Sequence, residues 1–292
     1  METFMRKSKL SSREKLTVVG LHILRNVKLW TRFTASFYMG ILQMVSEAAV
    51  FLFIGRWVTN DSGVQYVSFV ILGLAFARFL FATISGCYSS LSIGHSSAML
   101  EPILLSPSSV NLMVIGDLIW TYINTSLYVV CYLLLGWAFG MRIEMGFQLV
   151  GMALGVLVLS ILSVLGFGYM SAAMFMLANA KGGNEPINWF ISTLQGLVSG
   201  VYFPISVMPN WLQWISLCLP QAYGIDAARR LLLVGKSGDV TIPTQALLPF
   251  SPLVTDIMML ILFIVILLPL GLWVFKLGLN KAKVDGGLSR WS

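Results

Sequence analysis

The chain has 292 residues, of which 57% are hydrophobic and only 11% are charged, whereas soluble domains carry about 25% charged residues. This composition excludes a water-soluble globule. Lys and Arg outnumber Asp and Glu by 19 to 12, and eight of the 19 lie within the first 32 residues, which indicates an N-terminal arm facing a membrane surface rather than nucleic acid. The three cysteines share no CxxC spacing, so we expect neither a disulfide framework nor a metal site.

An amphipathic helix is predicted over residues 11–32. Its apolar residues, from Leu16 to Trp30, recur at steps of three and four, and basic residues lie between them. We expect this helix to lie in the plane of the cytosolic leaflet. We also expect it to be retained, because no apolar h-region of a signal peptide follows the basic residues. The alternative is that the segment serves only as an orientation signal.

Six apolar segments follow, and a membrane span needs roughly 20 apolar residues. The spans are predicted at residues 34–57, 64–92, 116–139, 146–177, 187–203 and 253–275. Six spans return the C-terminus to the N-terminal side, which then carries 13 Lys and Arg against five on the other side. Both termini are therefore predicted to be cytosolic. We expect one all-α membrane domain over residues 1–292, with a six-span bundle at 34–275 and a cytosolic tail at 276–292.

Two charged residues, Glu47 and Arg78, lie inside predicted spans, where a charge is costly and is a functional candidate by default. Counted from the outer ends of antiparallel neighbours, their depths differ by about 6 Å, a distance that an Arg side chain bridges. We expect the two residues to pair. The pair either clamps two helices or lines a polar path through the bundle, and pairing itself does not prove stabilisation.

The predicted cytosolic loop between the second and third spans has an unusual composition. Residues 95–117 contain no Lys or Arg, although they contain Glu101 and Asp117. A loop without cationic anchors for lipid headgroups is better explained by a protein partner. The alternative is that Glu101 is solvated and its neighbouring leucines lie on the membrane surface.

The segment between the fifth and sixth spans is divided by three prolines, Pro204, Pro209 and Pro220. Two apolar stretches, residues 211–219 and 222–234, are too short to span and are expected to re-enter the outer leaflet. Asp226 precedes Arg229 and Arg230 by three and four residues, a favourable helical charge pairing. We expect this pairing at the water boundary of a re-entrant hairpin. A flat surface loop is the alternative.

Two pairs of glycines, Gly151 with Gly155 and Gly196 with Gly200, have the four-residue spacing that permits close helix approach. Such spacing indicates either packing within one chain or a contact between two copies of it.

Together, these segments resemble the permease subunits of type-2 ATP-binding-cassette (ABC) exporters. The resemblance is carried by LEPILLSP at residues 100–107, GVYFPISVMP at 200–209 with WLQW at 211–214, LP at 219–220, the run 226–233 and GLS at 287–289. The order and spacing of these motifs relative to six spans extend the resemblance over nearly the whole chain. It implies a homodimeric permease with two separate ATPase subunits, an N-terminal interfacial helix, a cytosolic coupling helix and outer re-entrant helices.

The resemblance also implies roles for particular residues. The ATPase coupling site comprises Leu100, Glu101, Pro102, Leu104, Leu105 and Pro107. The carboxylate of Glu101 can accept a charge-assisted hydrogen bond from an Arg or Lys of the ATPase, and the leucines would fill an apolar groove. In the family, the dimer seam lies at the first and fifth spans, which makes Gly196 and Gly200 the better dimer-interface candidates.

The chain is expected to be a transport subunit and not an enzyme. Its only candidate phosphate loop, Gly235 to Ser237, has Arg230 where a glycine is required, so ATP and Mg²⁺ are expected in the partner ATPase and no cofactor in this chain. The substrate class is expected to be amphipathic or hydrophobic: a drug, a lipid or a lipid-linked glycan. The expected location is a prokaryotic plasma membrane.

Two other functional classes fit parts of this pattern. A proton-coupled secondary transporter acting without an ATPase would use Glu47 as its proton carrier, although we find no inverted repeat. An intramembrane enzyme is disfavoured because His22 and His95 stand alone, without an HExxH motif or a pair of acids.

Overall fold

A computed structural model describes residues 11–32, 34–57, 61–97, 99–105, 109–144, 146–177, 190, 193, 198–233 and 250–284. Within these residues the chain is helical and forms no β-strand beyond an isolated bridge between Ile143 and Leu233. The helices are α1 (Ser12–Arg32), α2 (Thr34–Trp57), α3 (Asp61–Ser96), α4 (Leu100–Leu105), α5 (Val110–Ala138), α6 (Phe147–Leu177), a 3₁₀ turn (Ile205–Val207), α7 (Asn210–Leu217), α8 (Pro220–Leu232) and α9 (Pro252–Val284).

In the part of the chain that the structure describes, four helices are long and apolar enough to cross a membrane: α3 from Tyr66 onward, α5, α6 and α9. Helix α2 has the bounds predicted for the first span and contains a shorter apolar stretch, Tyr38–Ile54. The predicted fifth span lies mostly outside the described residues, and residues 199–203 bend instead of continuing a helix. The count of six spans therefore stays a prediction.

Helix α9 continues past the predicted end of the sixth span, through Val284. The reason is packing: Ala282 is buried in the same apolar cluster as Phe275, so the helix extends beyond its most apolar part. The first residues of the predicted tail are therefore helical.

Helix α3 lies at the centre of the bundle and packs against α2, α5, α6 and α8. One apolar cluster surrounds its first half, where Ile71 meets residues of α5 and α8, and a second surrounds its last turns, where Leu91 meets residues of α4, α5 and α6. Burial on most sides explains why α3 is apolar all round, without an amphipathic stripe.

A close helix approach joins α6 and α9. The backbones of the two helices touch at Gly166 and Gly271. A Cβ at either position would collide with the backbone of the other helix, so glycine is required at both. The predicted pair Gly151 and Gly155 marks no contact with the described residues, since a Cβ added at either glycine would meet none of them within 4 Å. Glycine spacing alone did not reveal which glycines are at a helix contact.

Two ends of the bundle can be distinguished. At one, the α1 end, α4 follows α3 directly, and a Cβ added at Gly94 would lie 3.3 Å from Leu100 and 3.4 Å from Met113 of α5. At the opposite end, the backbone N–H of Arg142 donates to Ser68 at 3.0 Å, and that of Glu144 donates to the carbonyl of Leu232 at 2.8 Å. Arg25 of α1 contacts Met99, the residue just before α4, so α1 and α4 lie at the same end of the bundle, and Leu232 of α8 lies at the other.

Candidate functional site

The charged pair inside the bundle is the centre of the candidate site. Nη2 of Arg78 in α3 donates to Oε2 of Glu47 in α2 at 2.6 Å. Tyr132 of α5 completes the cluster, since its hydroxyl accepts from Nε and Nη2 of Arg78 at 3.2 and 3.1 Å and donates to Oε2 of Glu47 at 2.9 Å. Three helices therefore meet at one ion pair.

Tyr202 approaches the same carboxylate from the bend at residues 199–203, at the end of the predicted fifth span. Its hydroxyl donates to Oε1 of Glu47 at 3.4 Å, and its ring stacks on Phe51 with centroids 4.5 Å apart and planes at 12°. Neither Tyr132 nor Tyr202 was predicted from the sequence. Both are tyrosines in apolar segments, and a buried tyrosine hydroxyl usually has a hydrogen-bond partner. This feature of the sequence could have indicated that they bind a polar group.

A cavity of about 560 Å³ opens beside this cluster. The side chains of Arg78 and Glu47 are 32% and 29% exposed, and both line the cavity. The remaining lining residues are polar and apolar side chains of α2 and α3 and two residues of the bend: Gln43, Ser46, Val50, Leu74, Ala77, Phe81, Val201 and Tyr202. An ion pair that faces a cavity in an otherwise apolar region can contact a ligand as well as hold helices together.

Arg229 of α8 holds the bend that forms part of this wall. It is only 4% exposed, and it donates to the carbonyl oxygens of Phe69, Gly200 and Val201 at 2.6–3.1 Å. Gly73 leaves the space that its guanidinium occupies. Gly200 has a φ of 74°, a conformation that favours glycine.

The structure therefore corrects two expectations for this region. Arg229 lies buried among backbone carbonyls and not at a water boundary, because the bend at residues 199–203 leaves carbonyls that need donors. Gly200 lies in that bend and is buried within its own chain, so the helical spacing to Gly196 does not extend to it. Gly196 lies outside the described residues, and a contact of either glycine with a second copy stays a prediction.

The predicted pairing of Asp226 forms with Arg230. Nε of Arg230 lies 2.7 Å from Oδ2 of Asp226 and 3.8 Å from Oδ2 of Asp256 in α9. Both carboxylates are buried, so this cluster links α8 to α9 inside the protein. Asp256 was not predicted as a site residue, although it is a carboxylate near the start of the predicted sixth span and therefore needs a polar partner.

The three predicted prolines stand at the starts of short helices. Pro204 and Pro209 precede the 3₁₀ turn and α7, and Pro220 is the first residue of α8. Proline suits this position because the first helical N–H has no partner in the helix. Both short helices form where the two re-entrant stretches were predicted, and their depth in a membrane stays a prediction.

A second polar cluster fixes α1 to the bundle through Asp117. This residue was placed in a loop by the sequence analysis, but α5 begins at Val110 and includes it. Its Oδ1 accepts from Nη2 of Arg25 at 2.7 Å and from Asn26 at 2.8 Å, and its Oδ2 accepts from Ser90 of α3 at 2.7 Å. One carboxylate thus joins α1, α3 and α5.

His22 lies at the same contact, with Nδ1 3.9 Å from Oδ1 of Asp117. Burial lowers the pKa of His22, the charge of Asp117 raises it and the charge of Arg25 lowers it, and the net direction is downward. A Cβ added at Gly116 would lie 2.8 Å from the Cβ of His22. Helix α1 therefore packs closely on α5 at this point.

The predicted ATPase coupling segment forms α4, and α1 contacts the residue just before it. Nη1 of Arg25 lies 3.3 Å from Sδ of Met99. Leu100 is only 1% exposed and packs into the chain's own core, so it supports α4 from within and does not face outward; Pro102 is exposed. The side chains of Glu101, Leu104 and Leu105, and residue Pro107, lie outside the described part, so their coupling role stays a prediction.

Comparison with known proteins adds an independent finding. Residues 17–233 match the family described as ABC-2 type transporter. Nodulation protein J of Sinorhizobium fredii is 27% identical over 237 residues, which cover 78% of this chain and 86% of that protein. Nodulation protein J of Rhizobium meliloti is 23% identical over 224 residues, which cover 72% of this chain and 79% of that protein.

Proposed function

The chain belongs to the ABC-2 type transporter family as a permease subunit, and from this premise we propose that it is the membrane half of an exporter driven by a separately encoded ATPase. The observation that carries the proposal is the arrangement at the α1 end. There α4 directly follows the central helix, and Arg25 of α1 contacts both Asp117 and the residue before α4. A displacement of α4 by the ATPase would therefore be transmitted to α3, α5 and α1 through direct contacts.

The proposed ATPase contact is the outward surface of α4. Glu101 would supply a carboxylate for an Arg or Lys of the ATPase, and Leu104, Leu105, Pro102 and Pro107 are the other proposed contact residues. Leu100 anchors α4 to the core. The absence of Lys and Arg from residues 95–117 supports a protein partner over lipid headgroups. ATP and Mg²⁺ would be bound by that partner.

We further propose two copies of this chain and two ATPases in the complex, both termini in the cytosol and a prokaryotic plasma membrane as the location. The substrate is an amphipathic or hydrophobic molecule, such as a drug, a lipid or a lipid-linked glycan. A cavity that combines an ion pair with apolar walls supports such a substrate.

The test is affinity purification of the tagged chain in mild detergent, with mass spectrometry of the co-purifying proteins. The native chain is expected to retain an ATP-binding-cassette ATPase in a 1:1 ratio, and Glu101→Arg is expected to release it, because like charges repel where the pair formed. The matched control is Glu144→Arg, an exposed carboxylate at the opposite end, which should retain the ATPase.

A native chain that is stable and alone across several detergents would contradict the proposal. The alternative would then be a proton-coupled transporter without an ATPase. Glu47 faces the cavity as such a carrier would, but its carboxylate is already bonded to Arg78 and Tyr132.

A further inference from the structure

The described residues that line the cavity between α2 and α3 carry a balanced charge. Glu47 is negative, Arg78 is positive, and the other lining side chains are uncharged. A ligand group with a net charge would leave one charge uncompensated in a region of low dielectric, which is costly. A head group without net charge leaves the balance intact.

The ion pair keeps hydrogen-bonding capacity, and both of its residues line the cavity. The bonds of Arg78 use Nε and Nη2, and among the described residues its Nη1 has no hydrogen-bond partner. Within the described part of the chain, Oε1 of Glu47 accepts one long bond, of 3.4 Å from Tyr202, whereas Oε2 accepts two shorter bonds. A donor and an acceptor with spare capacity thus lie side by side, on side chains that are each about one third exposed.

The rest of the lining determines what else the ligand must carry. Gln43 and Ser46 add uncharged polar groups, and Val50, Leu74 and Phe81 add apolar surface. The volume of about 560 Å³ falls in the range of small-molecule sites, roughly 300–1,000 Å³. A polar head with part of an apolar chain fits this mixture.

We infer that the cavity binds the head of an amphipathic ligand that carries no net charge, either zwitterionic or uncharged, and that it discriminates against cationic and anionic amphiphiles of the same chain length. This inference rests on the proposed function, since it specifies the substrate class of the same site. The discrimination arises from Glu47 and Arg78 together. Removal of one charge should therefore shift the preference toward ligands whose charge is opposite to the charge that remains.

The experiment measures equilibrium binding of four radiolabelled dodecyl amphiphiles below their micellar concentrations to the full chain in nanodiscs, without ATP. The probes are dodecylphosphocholine (zwitterionic), dodecyl maltoside (uncharged), dodecyltrimethylammonium (cationic) and dodecylsulfonate (anionic). The native chain is expected to bind the two net-neutral probes about tenfold more tightly than either charged probe, because one uncompensated charge at low dielectric has at least that effect. The ratio of the affinities for dodecylphosphocholine and dodecyl maltoside then shows whether the site prefers a zwitterionic or an uncharged head group.

Three variants test the cause. Glu47→Gln leaves a net positive site and should shift the preference to the sulfonate, whereas Arg78→Gln should shift it to the trimethylammonium probe. The double variant restores neutrality and should restore the native preference, which also shows that a shift in the single variants was not misfolding. Glu144→Gln, exposed at the opposite end, should leave every ratio unchanged.

Equal binding of all four probes by the native chain would overturn the inference, and so would single variants that lose all probes equally while the double variant stays folded. Because the measurement needs neither ATP nor an ATPase, failure here is distinct from failure of the proposed function, which is read from the co-purified partner.

Discussion

Nη1 of Arg229 donates a hydrogen bond of 2.6 Å to the carbonyl oxygen of Gly200, a residue 29 positions earlier in the chain. Nη2 of the same guanidinium reaches Val201 at 2.7 Å, and Val201 and Tyr202 line the cavity. Arg229 therefore positions a wall of the cavity that it does not itself line. Its planar group suits this role because its donors diverge in a rigid fork.

Replacing Arg229 with Lys should destabilise the protein although the charge is kept. A single ammonium cannot reach the three carbonyl oxygens in the same way, and a buried acceptor without its donor costs about 1–3 kcal/mol. We expect the melting temperature of the purified chain to fall by about 2–4 °C for each kcal/mol lost. Arg142→Lys, at an exposed position, should leave it unchanged, and equal shifts in the two variants would contradict the positioning role.

Glu47 and Arg78 should show strong coupling in a double-mutant cycle. Loss of one partner is expected to cost between about 1 kcal/mol, as for an exposed pair, and about 3 kcal/mol, as for a buried one, because both side chains are partly exposed to the cavity. The charge reversal, Glu47→Arg with Arg78→Glu, should recover part of the stability that each single variant loses. Thermal unfolding of the four proteins measures the coupling, and additive losses would argue against direct pairing in solution.

Asp117→Asn should loosen α1 without unfolding the bundle. The variant loses the charge that Arg25 neutralises, and a hydrogen bond to a charged group contributes about 1.5–3 kcal/mol. We expect amide hydrogen exchange in residues 12–32 to accelerate at least about tenfold, with little change in α6 and α9. Arg13→Ala, at an exposed position on the same helix, is the control, and an equal acceleration there would mean that lipid alone holds α1.

The docking of α1 should weaken in mild acid. Since the pKa of His22 is lowered in the docked helix, the undocked helix binds the proton more readily, so docking loses stability as the pH falls below about 6.5. Above that pH the effect vanishes, because His22 is neutral in both states. The protection factor of residues 12–32, which is the ratio of the intrinsic to the observed exchange rate at each pH, is expected to fall by at most about tenfold per pH unit between pH 6.5 and 5. His22→Asn should flatten this dependence, and an unchanged slope in the variant would assign it to another group.

Much of the helical pattern could be predicted from local features. The bounds of α2 agree with the predicted first span, and α6 begins and ends within one residue of the fourth, because apolar composition over about 20 residues is a property of the segment itself. The resemblance to ABC permeases is confirmed by the family match, since motif order is also read directly from the chain. The pairing of Asp226 with Arg230 followed from helical spacing.

The candidate site was predictable only in part. Glu47 and Arg78 stood out because each is a charge in an apolar run, and similar depths in neighbouring helices brought them together. Asp117 was not predicted to be a site residue, because it lies near the end of a predicted span, where carboxylates are common. Its role depends on the contact with Arg25, which the structure shows. Arg229 was expected at the water boundary, but it is buried and donates to backbone carbonyls of distant segments.

The sequence by itself therefore determined a helical membrane permease, the segments that form its helices and the charges that needed partners. Only the tertiary structure decided which partners those charges have, which glycines stand at helix contacts and which residues line the cavity. The physical reason is that helix formation and membrane insertion depend on composition and periodicity over one or two dozen neighbouring residues. A hydrogen bond between Tyr202 and Glu47, or between Arg229 and Gly200, depends on how separate helices pack, and local spacing carries no record of that.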